Sequence, residues 1–150
     1  MAAPTRSRSR SAARLAAVQA IYQQEMEPKP LPQLLHEFHQ HRLGETIDGD
    51  ELAEAEVDFF NDIVRGVDAR REEIDALVEG RLAQGWKLDR LDRPMRAILR
   101  AGTYELIARA DVPVGSVISE YLDVAHAFFD KKEVSFVNGL LDNIAKQARR

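Results

Sequence analysis

Apolar side chains recur every three or four residues along most of the sequence, and this spacing is the strongest constraint on the fold. The pattern is clearest near the C-terminus, where it places Val137, Leu140, Leu141, Ile144 and Ala148 on one helix face. No stretch alternates apolar and polar residues with a period of two, as a half-buried strand would. The sequence therefore predicts an all-α fold of six or seven helices joined by short connections.

Helix-breaking residues predict where these helices begin and end. The first helix should start at Ser9 or Ser11, whose hydroxyl can cap free N–H groups, and should stop before Pro28. Pro94 fits the first turn of a later helix, where no partner is needed for its nitrogen. Further breaks are predicted in an acidic loop at 44–50, near 67–71, at 85–86, at 111–113 and in a charged turn at 130–133.

The first two predicted helices each have an apolar face. The second should run from Leu31 to about Arg42. In the first, the large apolar residues are spaced by three or four, so we expect them to face the core. These residues are Leu15, Val18, Ile21, Tyr22 and Met26.

Length and composition exclude several classes of protein. A chain of 150 residues can bury one core without cross-links. It has no cysteine, which excludes disulfides, thiol catalysis and thiolate metal sites and suits a reducing cytoplasm. Its apolar runs are far shorter than the roughly 20 residues that span a bilayer, so no membrane partner is expected. We predict a cytoplasmic protein, with an organelle transit peptide as the alternative for the Arg- and Ser-rich start.

Positive charge is concentrated at the N-terminus. Residues 1–14 contain four arginines and no acid, whereas the remaining sequence holds 17 of the 21 basic residues and all 25 acidic ones. Because arginine binds phosphate and stacks on bases, a flexible arm over residues 1–10, ahead of a helical domain at 11–150, is a candidate nucleic-acid contact. A solubilising tail is the alternative that composition leaves open.

No pattern in the sequence requires catalysis. The eight glycines never form a phosphate-binding loop. His36, His39 and His41 are spaced by three and two residues, whereas a zinc-binding helix needs two histidines four apart. Surface histidines are the simpler interpretation, and acidic pairs on the helices are best explained as solvated faces. We therefore predict no enzymatic activity, no cofactor and no metal site.

An aromatic residue beside two lysines is a second candidate RNA contact. Phe136 follows Lys131 and Lys132 and lies at the margin of the inward-facing stripe of the last helix. At that position the ring can serve as a platform for base stacking. The alternative is an aromatic residue at the edge of the core.

Three segments of the sequence carry a resemblance to one known family. They are Phe136-Val-Asn-Gly-Leu-Leu-Asp142, then Arg96-Ala-Ile-Leu-Arg100 followed by Tyr104-Glu-Leu106, and Ala17-Val-Gln-Ala-Ile-Tyr22 after the arginines. They are similar to the C-terminal FVNGxLD signature, the middle and the first helix of the NusB family. The order and spacing agree, so the resemblance covers almost the whole chain.

The resemblance implies a fold and a function. The family fold is two small antiparallel helical bundles packed as one domain. Its members are transcription antitermination factors that pair with NusE, a small-subunit ribosomal protein, on the boxA element of ribosomal RNA leaders. The expected partners are therefore single-stranded boxA RNA, NusE and the RNA polymerase antitermination complex, whose read-through the protein would support.

Eight residues near the two ends of the chain are expected to contact RNA. Two arginines match the family's basic first helix, and two that precede them are included for their charge alone. The others belong to the C-terminal signature, whose aromatic matches an RNA contact, or adjoin it. We expect the two ends to meet in one RNA surface. In chain order the eight are Arg6, Arg8, Arg10, Arg14, Lys131, Lys132, Phe136 and Asn138.

The resemblance also implies an interface with NusE. Tyr22 matches a position at that contact. Met95 stands where relatives often carry an acid at the same interface, and Arg96 follows it.

Two other functions are weighed against an RNA-binding adaptor. The first is a helical protein-interaction adaptor without RNA affinity of its own. The second is a stand-alone relative of the NusB-like domain of RNA methyltransferases. The absence of a cysteine argues against methyltransferase catalysis by this chain.

Overall fold

The computed structural model describes residues 6–41, 46–47, 50–51 and 54–149, which are folded mainly into helices. The chain divides into two compact units, residues 1–65 (unit 1) and residues 66–150 (unit 2). The prediction of an all-α fold with two groups of helices is confirmed. The helices are α1 (Arg6–Met26), α2 (Leu31–His41), α3 (Glu54–Ala69), α4 (Arg71–Glu79), α5 (Arg93–Ala108), α6 (Val114–His126) and α7 (Lys131–Ala148).

Two short elements accompany these helices. The strands β1 (Thr46–Ile47) and β2 (Asp50–Glu51) pair antiparallel, with Thr46 opposite Glu51, in the segment predicted to be an acidic loop. A single 3-10 turn spans Leu88–Arg90. Each strand is only two residues long, too short to produce the alternating pattern that would reveal it in the sequence.

Most of the predicted helix boundaries are confirmed. Helix α1 ends before Pro28, Pro94 lies in the first turn of α5, and the turn after α4 contains Gly85 in the left-handed conformation with φ 88°. Two boundaries differ: α1 already begins at Arg6, and the predicted charged turn at 130–133 is the first turn of α7 after its N-cap Asp130. No proline or glycine interrupts residues 6–11, so nothing local prevents the earlier start. Residues 1–5 of the predicted arm lie outside the described residues.

The buried face of α1 in unit 1 is built mainly from alanines. Three of the large residues predicted to face the core are exposed instead: Leu15, Tyr22 and Met26 are 37%, 36% and 48% exposed. The distance between packed helices depends on the side chains at the contact, so small residues allow α1 to lie close to its neighbours. The apolar residues of α1 that are buried are Ala13, Ala16, Ala17, Val18, Ala20 and Ile21.

Side-chain bonds fix the turn from α1 to α2. The Gln24 amide donates to the Lys29 carbonyl at 2.7 Å and accepts from the Lys29 N–H at 3.2 Å. The Lys29 ammonium lies 2.9 Å from the Glu37 carboxylate on α2. Behind the turn, the rings of Phe38 and Phe60 stack with centroids 5.7 Å apart. These contacts hold α1, α2 and the first part of α3 together.

In unit 2, helix α5 is buried over its whole central part. Every residue from Met95 to Leu106 is buried, including four with polar or charged side chains, Arg96, Arg100, Thr103 and Glu105. Buried charges destabilise a fold unless they are paired or hydrogen-bonded. Arg100 donates two bonds to the Asp75 carboxylate on α4, at 2.9 and 3.1 Å. Glu105 accepts a bond from the Tyr121 hydroxyl on α6 at 2.5 Å.

Two glycines let helices approach closely within unit 2. A methyl group on Gly66, in the last part of α3, would lie 2.1 Å from ring atoms of Tyr104 on α5. A methyl group on Gly102 would lie 3.2 Å from the Leu141 side chain on α7. The Tyr104 ring therefore occupies the space that any larger residue at position 66 would need.

The last described residue, Arg149, joins the end of α7 to the end of α5. Its guanidinium donates to the carbonyl oxygens of Leu106 at 2.9 Å, Glu105 at 3.0 Å and Arg109 at 2.7 Å, and also to that of Val112. The last carbonyls of a helix have no partner within the helix itself. The side chain that follows α7 thus binds carbonyls in the last turn of α5 and in the segment after it.

We expect the Gly66→Ala substitution to destabilise the protein by about 1–3 kcal/mol, the usual cost of overpacking a core. Gly139→Ala is the matched control, because nothing lies within 4 Å of a methyl group there. Alanine is favoured over glycine inside a helix by about 1 kcal/mol, so the control should be neutral or stabilising. Urea unfolding of both variants measures the difference. Equal midpoints would contradict the close contact between Gly66 and Tyr104.

Candidate nucleic-acid interface

The two arginines at the start of α1 that are described in full pack against α3 in unit 1. The Arg10 guanidinium lies 4.5 Å from the centroid of the Phe59 ring, and its Nε is 3.3 Å from the Glu56 carboxylate. The Arg14 guanidinium lies 4.9 Å from the same ring, and Arg14 is only 3% exposed. A cation over an aromatic face is attracted to it, most strongly when both groups are removed from water.

This packing changes the expectation for the predicted basic arm. Direct contact of Arg14 with RNA would require its side chain to leave Phe59, whereas Arg10 is half-buried and nearer the surface. Arg6 and Arg8 lie in the first turns of α1, and their side chains are outside what the structure describes. Sequence reasoning missed the Phe59 contact because that residue is more than 40 positions away along the chain.

The candidate residues near the C-terminus are exposed at the start of α7. Val134, Val137 and Leu141 on α7 are buried, and this orientation turns Lys132 and Phe136 outwards. Phe136 is 39% exposed, and Lys131, Lys132 and Asn138 are also exposed. The positive end of the helix dipole lies at the helix N-terminus and is unfavourable for nearby cations. Lys131 and Lys132 in this first turn therefore do not stabilise the helix.

A groove in unit 2 brings candidate residues from different helices together. It has a volume of about 470 Å³ and is lined by Lys132 and Phe136 from α7 and by Met95 from α5. Trp86 also lines this groove and is 51% exposed, whereas the sequence predicts only a turn at this position. The signal in the sequence was a large aromatic residue directly after a glycine in a predicted turn, where a core position is not expected. The other lining residues are Leu82, Ala83, Arg90, Leu91, Asp92 and Glu133.

The three residues predicted to contact NusE have different environments. Tyr22 is 36% exposed on α1, whereas Met95 is 5% exposed at the wall of the groove. Arg96 is buried and donates to the carbonyl oxygens of Asp89 at 3.1 Å and Leu91 at 2.8 Å. Burial, and to a lesser extent the nearby charge of Arg100, lower the pKa of Arg96. A contact between Arg96 and a partner would have to replace these backbone bonds.

The histidines of α2 form no metal site within the described residues. His39 Nε2 lies 2.7 Å from the Asn61 side-chain oxygen, and its ring packs edge-on against Phe60 at 6.0 Å between centroids. Among the described residues, no group of three or more His, Asp or Glu side chains is placed to hold a metal ion. The described helices also include none that is long and apolar enough to cross a membrane.

Fold and surface together define a class of protein. Its two units are helical, and unit 2 carries an exposed basic turn beside a groove with two exposed aromatic rings. Cations beside exposed aromatic rings are typical of proteins that bind single-stranded nucleic acid. The structure is therefore that of a helical protein with a candidate nucleic-acid surface.

Comparison with known proteins agrees with this class. Residues 11–146 match the NusB family. The transcription antitermination protein NusB of Sphingopyxis alaskensis is 66% identical over 145 residues, which cover 97% of each chain. The protein of the same name from Novosphingobium aromaticivorans is 65% identical over 142 residues, covering 95% of this chain and 96% of that one. The chain belongs to the NusB family.

Solved structures give the same result. NusB of T. maritima is 29% identical and superimposes with a TM-score of 0.80, covering all of this chain and 96% of the other. NusB in a crystal structure of the antitermination factors NusB and NusE in complex with dsRNA is 27% identical, with a TM-score of 0.79 and coverage of 93% and 98%. Family membership confirms the prediction of a transcription antitermination factor that is not an enzyme.

We expect Arg14→Ala to destabilise the protein by about 2 kcal/mol, because it removes a buried cation from the Phe59 ring. Arg65→Ala is the matched control, since Arg65 is an exposed arginine in the same unit. Substitution at such a surface position usually changes stability by less than about 0.5 kcal/mol. Denaturant unfolding compares the two, and an Arg14→Ala midpoint as high as that of the control would show that Arg14 has no structural role.

Proposed function

We propose that this protein acts in the cytoplasm with NusE on single-stranded boxA RNA of ribosomal RNA leaders and supports read-through by RNA polymerase. The observation that carries the proposal is the 66% identity, over 97% of both chains, to a protein named for transcription antitermination. The solved complex of a NusB protein with NusE and dsRNA supports both kinds of partner. Because the RNA of that complex is named as double-stranded, a duplex belongs among the RNAs to be tested.

The α7 surface is the part best placed to contact RNA. Lys131 and Lys132 can neutralise phosphates, and Phe136 offers an exposed ring to a base. Asn138 is also exposed and adds an amide that can donate and accept hydrogen bonds. These side chains can be reached without any change in the packing of unit 2.

The start of α1 supplies the second RNA contact in this proposal. Arg6 and Arg8 precede the part of α1 that packs against Phe59, so we assign them the first phosphate contacts. Arg10 follows as a weaker one, because its guanidinium is also used by Glu56 and Phe59. Arg14 remains a proposed RNA ligand only in a state in which it leaves Phe59. The proposed boundary between a basic arm and the helical domain stays near residue 10.

Two surfaces are proposed to bind NusE. On α1, exposed Tyr22 continues with Met26 along an apolar strip that a protein partner can cover. Around α5, Met95 contributes to the wall of the groove, and Arg96 acts indirectly by holding the backbone of residues 89–91.

The RNA surface on α7 is tested by Lys132→Ala against Lys146→Ala, two exposed lysines on the same helix. Each phosphate contact contributes about 0.7 to the slope of log K against log salt for a single strand. We expect Lys132→Ala to weaken boxA binding and to reduce that slope by about 0.7. Lys146→Ala, whose side chain faces Asp142 at 3.0 Å, should leave the slope unchanged.

The measurement is a filter-binding titration at several salt concentrations, with and without NusE. The RNAs are boxA, a scrambled strand of the same composition and a duplex. Equal slopes for the two variants would remove Lys132 from the RNA surface. No RNA affinity even with NusE would favour the adaptor that binds proteins alone.

A further inference from the structure

The groove in unit 2 combines features that no single helix provides. Trp86 comes from the turn after α4 and Phe136 from α7, and both rings are substantially exposed at 51% and 39%. Large aromatic side chains are normally covered, so two exposed rings at one groove indicate a surface that is completed by a ligand. A volume of about 470 Å³ lies within the range of roughly 300–1,000 Å³ found for small-molecule sites. The groove therefore has room for one nucleotide.

Glu133 gives the groove a polar group that needs a partner. Its Oε2 is shielded from solvent and accepts no hydrogen bond from any residue the structure describes. A carboxylate oxygen that is removed from water without a donor is destabilising. Glu133 also lines the groove and is only partly buried, so rotation of its side chain towards the groove brings this oxygen to a donor on a bound ligand.

The charges decide which part of a nucleotide enters the groove. Arg90 and Lys132 are exposed cations, whereas Asp92 and Glu133 are carboxylates that repel phosphate. The phosphates of an RNA strand are therefore expected at these two exposed cations, and the base at the aromatic rings. Stacking on aromatic side chains beside cations is the usual way in which proteins hold single-stranded nucleic acid.

We propose that the groove binds one nucleobase of single-stranded RNA, in contact with Trp86 and Phe136, and that Glu133 accepts a hydrogen bond from its exocyclic amino group. The inference rests on the proposed RNA-binding function and adds two residues to it, Trp86 as a second stacking surface and Glu133 as a determinant of base preference. Cytosine presents an amino donor at the position where uracil presents a carbonyl acceptor, and carboxylates accept from that amino group. The groove should therefore prefer cytosine to uracil.

The tryptophan makes the proposal directly measurable. Trp86 is the only tryptophan in the sequence, so its fluorescence reports on the groove alone. The full-length protein is titrated with oligocytidylate and oligouridylate of equal length, while filter binding measures total RNA affinity. We expect saturable quenching by both, with oligocytidylate binding about fivefold more tightly, as one good hydrogen bond to a charged group allows.

Matched variants separate the two assigned residues. Glu133→Gln should reduce the preference for cytosine to near parity, because an amide can also donate to the uracil carbonyl. Glu72→Gln removes an acid from the first turn of α4 and should leave the preference unchanged. Trp86→Ala should weaken RNA binding in the filter assay, whereas Phe128→Ala, an exposed aromatic residue that does not line the groove, should not.

The outcomes distinguish this inference from the proposed function. RNA binding on filters without any change in Trp86 fluorescence would overturn the inference and leave the function standing. No RNA binding in either assay would reject the function and the inference with it. Quenching by purified NusE but not by RNA would show that the groove holds a protein segment, and a cytosine preference unaffected by Glu133→Gln would remove Glu133 from base recognition.

Discussion

The burial of α5 is the constraint on which the rest of unit 2 depends. A helix that is buried from Met95 to Leu106 while carrying Arg100 and Glu105 must be surrounded by partners at fixed positions. Asp75 on α4 accepts hydrogen bonds from Arg100, and Tyr121 on α6 donates one to Glu105. A buried charge that loses its hydrogen-bonding partner is strongly destabilising, so the register of α4 and α6 against α5 is well determined.

The same constraint reaches the candidate RNA surface through α7. Gly102 lets the Leu141 side chain approach α5 closely, and Arg149 bonds the end of α7 to the last carbonyls of α5. These contacts fix both the rotation of α7 and its position along the helix axis. Lys132 and Phe136 face outwards for that reason, at a groove whose lining also includes Met95 of α5. A surface held by a core in this way needs little ordering when RNA binds.

The sequence was sufficient for the helices and for part of the site, and the failures have physical causes. Proline positions determine helix ends through local geometry, and this explains why the boundaries at Pro28 and Pro94 were predictable. The face of α1 was predicted correctly at Val18 and Ile21 but not at Leu15, because hydrophobic periodicity weights Leu15 above the small alanines that allow close packing. The distance between two helices also depends on the side chains of the neighbouring helix. The periodicity of a single segment carries no information about them.

The site shows the same division between local and distant information. The placement of Phe136 beside Lys132 could be predicted because the two residues lie one turn apart on one helix. Trp86 and Glu133 could not be paired with them, since only the packing of α7 beside the turn after α4 makes them line one groove.

The arginines of α1 illustrate how tertiary contacts alter the meaning of a charge pattern. A cluster of four arginines suggests four equivalent phosphate ligands, but Phe59 draws two of them into unit 1. Moving Arg14 to a phosphate would expose the Phe59 ring to water, and moving Arg10 would take a cation from beside the buried Glu56 carboxylate. Salt weakens a phosphate contact at the surface much more than it weakens a buried contact. As the salt concentration rises, Arg14 and then Arg10 should therefore keep their contacts with Phe59 and Glu56 instead of binding phosphate. The salt dependence of RNA binding should then correspond to fewer phosphate contacts than the four arginines of α1.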